Sequence, residues 1–161
     1  MRRGAIADSG AEVSTFPQSA FDDHPEIVDN IGPAAPDTTV CYGNGNIVPI
    51  EKVVQSGDYE IEVAPDHCAN CLISVNDLTR KGHYVVFAKH NITIADVDNQ
   101  YSRTYPRQRG ARDWTLPIGI LQELTRLRRM HPLSRQSYER GTADTPPESP
   151  PPTPTVRPQT R

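Results

Sequence analysis

Near the start of the chain, Asp8-Ser9-Gly10-Ala11 sets a carboxylate, a hydroxyl and a residue without a side chain in succession. One carboxylate is a weak base at neutral pH. Two carboxylates close enough to share a proton are a different object: one takes a proton from water while the other donates to a carbonyl oxygen. Glycine two places after the acid lets backbone approach the carboxylate closely, and the intervening hydroxyl can hydrogen-bond across the pair. A pair of such carboxylates could activate water for attack on a carbonyl, with Asp8 as the group to be paired and Ser9 and Gly10 beside it. No second Asp-Ser-Gly or Asp-Thr-Gly occurs in the 161 residues. The second carboxylate has to come from another copy of the chain, with Asp8 of each protomer meeting on a two-fold axis.

Other reactive residues are sparse. His67-Cys68-Ala69-Asn70-Cys71 holds a CxxC beside a histidine. A structural zinc needs four ligands and no second pair lies at useful spacing, so no metal is expected there. No βαβ pattern surrounds the pair, which argues against a thioredoxin-like role and leaves free thiols. No phosphate-binding glycine loop and no Ser/His/Asp set is recognisable, and no cofactor is expected. Three cysteines, Cys41, Cys68 and Cys71, are too few and odd in number for a disulfide framework, which points to a reducing, intracellular setting.

Charge divides the chain. Residues 1–102 carry six Lys/Arg against fifteen Asp/Glu, and residues 103–161 carry eleven Arg against five Asp/Glu. Either the halves attract each other, or the basic half serves an anionic partner, or it is a solvated linker. The acidic first half repels phosphate, so nucleic acid is a partner only for the basic C-terminal segment, whose interleaved aromatics are Tyr105 and Trp114. No apolar run approaches the roughly 20 residues of a membrane helix, and no membrane partner is expected.

The elements that must position Asp8 are short strands. Gly4 to Ala7 leads into the loop and Ala11 to Phe16 alternates out of it. Gln18 to Asp37, with three prolines, reads as a surface connection. Thr38–Tyr42 and Asn46–Ile50 flank Gly43-Asn44-Gly45, a glycine-tipped hairpin, and Pro49 puts its second arm at an edge. Val53-Val54 and Tyr59–Val63 make a second hairpin, with Glu60 and Glu62 toward water. Cys71–Ile73 is a buried strand, and Ser74 starts a two-turn helix that Gly82 ends. Tyr84–Ala88 and Asn91–Ala95 make a third hairpin. The fold class is all-β: a small closed barrel of about seven short strands with one short helix across residues 1–100. Residues 101–133 read as a basic linker with an amphipathic helix, capped at Thr115 and apolar along Ile120, Leu121, Leu124 and Leu127. Such a helix more often docks on its own domain than binds RNA, membrane or a partner groove. Residues 134–161 form a disordered Pro/Ser/Thr-rich tail; seven of the 16 prolines lie between Thr145 and Pro158, and its P-x-x-P elements suit polyproline recognition.

From Asp8 to about Asp98 the chain resembles the protease region of copia-type retrotransposon Gag-Pol polyproteins, relatives of the retroviral aspartic proteases. The resemblance rests on Asp8-Ser9-Gly10-Ala11, on Gly43-Asn44-Gly45, and most specifically on the run from Cys71-Leu72-Ile73-Ser74 through Val85-Val86-Phe87. It implies a retropepsin-like homodimer that cuts a polyprotein substrate, in the cytoplasm or within a virus-like particle. Asp8 would be catalytic, supported by Ser9 and Gly10. Ala11 and Glu12 would contact substrate, with Gly43, Asn44 and Gly45 as the tip of a flap over it. Leu72-Ile73-Ser74 would replace the hydrophobic-hydrophobic-glycine segment that supports the catalytic loop. Ser74 departs from that glycine, and only seven residues precede Asp8. The alternative is a catalytically inactive retrotransposon-derived fragment, a β-module that only binds partners.

Overall fold

Asp8 closes the first strand, and strands from three distant parts of the chain assemble around it. The computed structural model describes residues 4–130 except 69, 97 and 99. In chain order the strands are β1 (Ala5–Asp8), β2 (Thr15–Pro17), β3 (Asn30–Pro33), β4 (Thr39–Cys41), β5 (Ile47–Pro49), β6 (Lys52–Ser56), β7 (Tyr59–Ala64), β8 (Leu72–Ser74), β9 (Tyr84–Phe87), β10 (Asn91–Asp96), β11 (Tyr101–Pro106) and β12 (Thr115–Leu116). Helix α1 spans Gln18–Asp23, α2 Val75–Arg80 and α3 Ile120–Met130, with a 3-10 turn at Pro25–Ile27.

Seven strands form one sheet in the order β12-β1-β8-β2-β7-β6-β3; β11-β10-β9 form a second and β4-β5 a third. The all-β expectation of about seven strands and one short helix becomes twelve strands and three helices among the described residues, and these sheets close no barrel there. The hairpins β4–β5, β6–β7 and β9–β10 form where alternation and turn residues foretold them.

Four local expectations are corrected. The strand leaving the Asp8 loop begins at Thr15, not Ala11, because Ala11 and Ser14 spend their backbone groups on the start of α2. The stretch 18–37 is not only a surface loop. It holds α1, whose Phe21 stacks on Phe16 at 5.7 Å, the buried Ile27, and β3, which pairs with β6 from Asn30↔Gln55 to Pro33↔Lys52. Residues 103–112 were expected to be unpatterned, yet β11 pairs with β10 from Asn91↔Pro106 to Asp96↔Tyr101. Only Tyr101 of that strand is buried and Tyr105 half-buried, so no apolar alternation announced it. Thr115 caps nothing; it pairs with Ile6 in β12, and the first α3 amide, Ile120 N–H, donates to Pro117 O.

Helix α3 joins the two larger sheets. Ile120, Leu121, Leu124 and Leu127 are buried in one core with Phe16, Ile61 and Ile73 of the large sheet and Ile92 and Ile94 of the small one. Each such side chain contributes about 1.5–3 kcal/mol relative to exposure. Tyr101, Leu116 and the apolar face of α3 are thus part of the core around the Asp8 sheet. Its register is pinned at the β6–β7 turn, where Gly57 has φ +60 and an added Cβ would stand 2.2 Å from Thr125 Oγ1. Thr125 Oγ1 accepts from Asp58 N–H at 2.8 Å and donates to Leu121 O at 2.9 Å. The proline-rich tail, the linker beyond Met130 and the P-x-x-P elements lie outside the described residues.

Candidate active site

The two strands that flank the Asp8 loop are not neighbours. Strand β8 lies between them, parallel to β1 (Ile6↔Leu72, Ala7↔Ile73, Asp8↔Ser74) and antiparallel to β2 at Thr15↔Leu72. Residues 9–14 therefore arch over the end of β8, where α2 begins. The arch is held from below. Ser74 Oγ donates to Ala11 O at 2.7 Å and accepts from Asp77 N–H at 3.2 Å, so one hydroxyl both caps α2 and fixes the loop. Asn76 Nδ2 reaches the same carbonyl at 3.5 Å.

A second clamp stands beside it. Ser14 donates from both its N–H and its Oγ to Asp77 Oδ2, each at 2.8 Å, and Ser14 Oγ accepts from Ser74 N–H at 3.1 Å. In a simple capping box the acidic side chain returns to the N-terminal residue's own amide. Here Ser14, sixty residues away in sequence, is interposed between Asp77 and Ser74. Ser14 and Ser74 are fully buried, so these polar groups are stable there only because they are paired. The Ser74 hydroxyl thus both caps α2 and holds the loop.

Within the arch, Gly10 N–H donates to Asp8 Oδ1 at 2.8 Å. A Cβ on Gly10 would stand 3.3 Å from that oxygen, which is why a residue without one suits the position. Asp8 and Ala11 are half-buried, while Ser9, Gly10 and Glu12 are exposed. Asp8, Ser9, Gly10, Ala11 and Glu12 are therefore brought together on one accessible loop, with the carboxylate oriented by a backbone amide.

The hairpin tip is ordered by its own chain. Gly45, at φ +83, donates to Tyr42 O at 2.8 Å, and Asn46 N–H donates to Asn44 Oδ1 at 3.0 Å. Gly43, Asn44 and Gly45 are exposed, and no hydrogen bond among the described residues joins them to the Asp8 loop. The hairpin instead faces the segment entering β8 across a cleft of about 270 Å3, whose lining includes Tyr42, Asn44, Asn70 and Leu72. Leu72 shares a face of β8 with Ser74, the register partner of Asp8.

Glu62, half-buried on β7, has its carboxyl pushed above the usual range by burial and by the negative charges of Glu60 and Asp77. Tyr42 titrates well above an ordinary tyrosine, chiefly through burial, then through the Cys68 thiol and Glu62. Cys41 is exposed, Cys68 half-buried and Cys71 buried. Among the described residues no group of three or more His, Cys, Asp and Glu side chains is arranged to hold a metal ion.

Several arginines of the basic segment are engaged within the chain. Arg128 pairs with the buried Asp96 at 2.9 Å, Arg103 with Glu123 at 3.2 Å and Arg129 with Asp58 at 3.5 Å, while Arg107 lies 4.1 Å over the Trp114 ring. No described helix is long and apolar enough to cross a membrane.

Ser14 and Asn76 carry no sequence signal of their own. Asp77 has one, the S-x-x-D spacing after Ser74, but that spacing names the cap and not the distant partner. No family model, no curated protein and no solved structure matches the chain.

Proposed function

We propose that the chain is a retropepsin-like aspartic endopeptidase, active as a homodimer in which two Asp8 side chains share one proton. The observation that carries this reading is the threading of β8 between the strands that flank Asp8, with Gly10 N–H on Asp8 Oδ1. That arrangement fixes a half-buried carboxylate on an arch whose outer residues, Ser9 and Gly10, are free to meet a second copy. In this reading the three sheets stand for the retropepsin barrel, left open between β12 and β3, and the β4–β5 hairpin is the flap. Three cysteines, few and odd in number, fit action in the reducing interior of the cell, on a polyprotein of the retrotransposon type.

In the dimer, the ionised Asp8 takes a proton from water as the water oxygen bonds to the scissile carbonyl carbon. The protonated partner's Asp8 gives its proton to the carbonyl oxygen. The first Asp8, now protonated, passes its proton to the amide nitrogen as the C–N bond breaks, and the partner's Asp8 recovers a proton from the gem-diol hydroxyl. The pair returns to its starting state with one water consumed. Like charges at this distance cannot both ionise, so activity is favoured at acid pH.

The test is cleavage of an unfolded polypeptide by the full chain beside Asp8→Asn, with sedimentation at several concentrations. Cleavage lost by at least about a hundredfold in Asp8→Asn and rising with dimer content is expected, in keeping with loss of general acid–base catalysis. Equal activity in both chains, or a strictly monomeric active species, overturns the reading.

A further inference from the structure

The cleft between the β4–β5 hairpin and the approach to β8 is polar in a particular way. Asn44 and Asn46 stand on the hairpin wall and Asn70 on the other, so three carboxamides line a space of about 270 Å3. Asn44 Oδ1 is occupied by Asn46 N–H at 3.0 Å, which leaves its amide N–H groups to donate outward. Tyr42, also in the wall, has its hydroxyl buried beside the Cys68 thiol, so its ring and not its hydroxyl faces the cleft. Val48 and Leu72 supply the apolar part of the lining.

Size and chemistry narrow the occupant. The volume lies just below the roughly 300 Å3 at which pockets begin to hold drug-sized ligands, so one side chain fits better than a whole small molecule. The lining holds no lysine, arginine or carboxylate, and its one histidine, His67, is exposed. A lysine or glutamate entering would lose hydration for neutral partners. A leucine or methionine would leave the carboxamides facing apolar surface, which costs about 1–3 kcal/mol for each group left unpaired. A neutral side chain with both a carbonyl and an NH2 meets both requirements. Its distance from the chemistry is set by β8: Leu72 lies two residues, roughly 7 Å, from the register partner of Asp8.

We propose that this cleft is a subsite for a glutamine or asparagine side chain of an extended polypeptide, seated a few residues from the bond opposite Asp8. The identification of that polypeptide as substrate rests on the endopeptidase reading; the side-chain preference does not.

The experiment uses the full chain carrying Asp8→Asn and a set of capped octapeptides, identical but for one central residue: Gln, Asn, Met, Leu, Glu or Lys. Binding is followed by calorimetry and by the side-chain NH2 signals of Asn44 and Asn70. The Gln or Asn peptide is expected to bind at least about tenfold tighter than its near-isosteric Met or Leu counterpart, as a site built to hydrogen-bond discriminates against an analogue that lacks the group. Asn44→Ala and Asn70→Ala are each expected to cut that ratio to about threefold or less, through loss of one neutral hydrogen bond. Equal binding of Gln and Met peptides, tighter binding of the Lys or Glu peptide, or no saturable binding at millimolar concentration overturns the subsite. The parent chain is then assayed for cleavage of the same peptides. Selective binding without cleavage refutes the endopeptidase and leaves the subsite standing; cleavage indifferent to Gln refutes the subsite and leaves the endopeptidase.

Discussion

Replacing Asp77 with alanine tests whether the Asp8 arch is held by the clamp beneath it. Asp77 Oδ2 accepts two hydrogen bonds of 2.8 Å from Ser14, and its side chain is 17% exposed, so solvent replaces it poorly. Hydrogen bonds to an ionised group contribute about 1.5–3 kcal/mol each, and a buried N–H left without a partner costs about 1–3 kcal/mol. These quantities overlap, because Ser14 Oγ still accepts from Ser74 N–H in the variant. A net loss of about 2–4 kcal/mol follows, or roughly 8–16 °C in Tm at about 4 °C per kcal/mol for a domain of this size. Asp77→Asn keeps an oxygen for Ser14 and is expected to lose only about 1 kcal/mol, the difference between a charged and a neutral acceptor. Urea unfolding of Ser14→Ala, Asp77→Ala and the double variant forms the cycle, with a coupling of about 0.5–3 kcal/mol expected between groups in contact. If the arch positions Asp8, Asp77→Ala also loses cleavage activity at temperatures where it remains folded, and Asp77→Asn recovers most of it. A loss below about 0.5 kcal/mol, or strictly additive single variants, refutes the clamp.

Two further outcomes concern the core that carries the site. Gly57→Ala is expected to lose about 2–4 kcal/mol by urea denaturation, combining left-handed backbone strain with a clash against Thr125, and to leave the unfolding m-value unchanged. A neutral Gly57→Ala would mean that α3 does not sit against the β6–β7 turn. His83 is buried between Tyr101 Oη at 2.9 Å, Tyr59 Oη at 3.3 Å and Leu78 O at 3.3 Å. Its pKa is lowered by burial and then by Arg128, against the opposing pull of Asp96 and the Leu78 carbonyl. The unfolded chain therefore takes up a proton that the folded chain refuses, so stability falls as pH drops from about 6.5 toward the folded pKa. Urea midpoints at about pH 5 and about pH 7.5 should differ in the parent and differ less in His83→Gln; an equal pH dependence in both would assign the effect to other groups.

The arginines show how charge counts become structure. Composition left open whether the basic second half pairs with the acidic first half, serves an anionic partner or is a solvated linker. Arg128 and Arg129 reach Asp96 and Asp58 of the first half, and Arg103 is held by Glu123 of α3. Arg109, Arg112 and Arg126 remain exposed.

Local chemistry alone determined a good part of this molecule. The Gly45 and Gly82 turns at positive φ, the Ser74 cap, the alternation of Tyr59 to Val63 and the apolar face of α3 are each written within a few consecutive residues. Such features are legible because turn geometry, capping and periodicity involve neighbours in sequence. Tertiary structure decided the rest. Nothing local says that β8 threads between β1 and β2, or that Ser14 stands between Ser74 and Asp77, because these pairings span 57 residues or more and a parallel pairing leaves no turn to mark it. Strands β11 and β12 are likewise strands by virtue of their partners and not of their own pattern. The tetrapeptide at Asp8 specified which groups could do chemistry; the placement of Ser74, Ser14 and Asp77 beneath it decided how one carboxylate is held, since buried polar groups persist only where folding brings them partners.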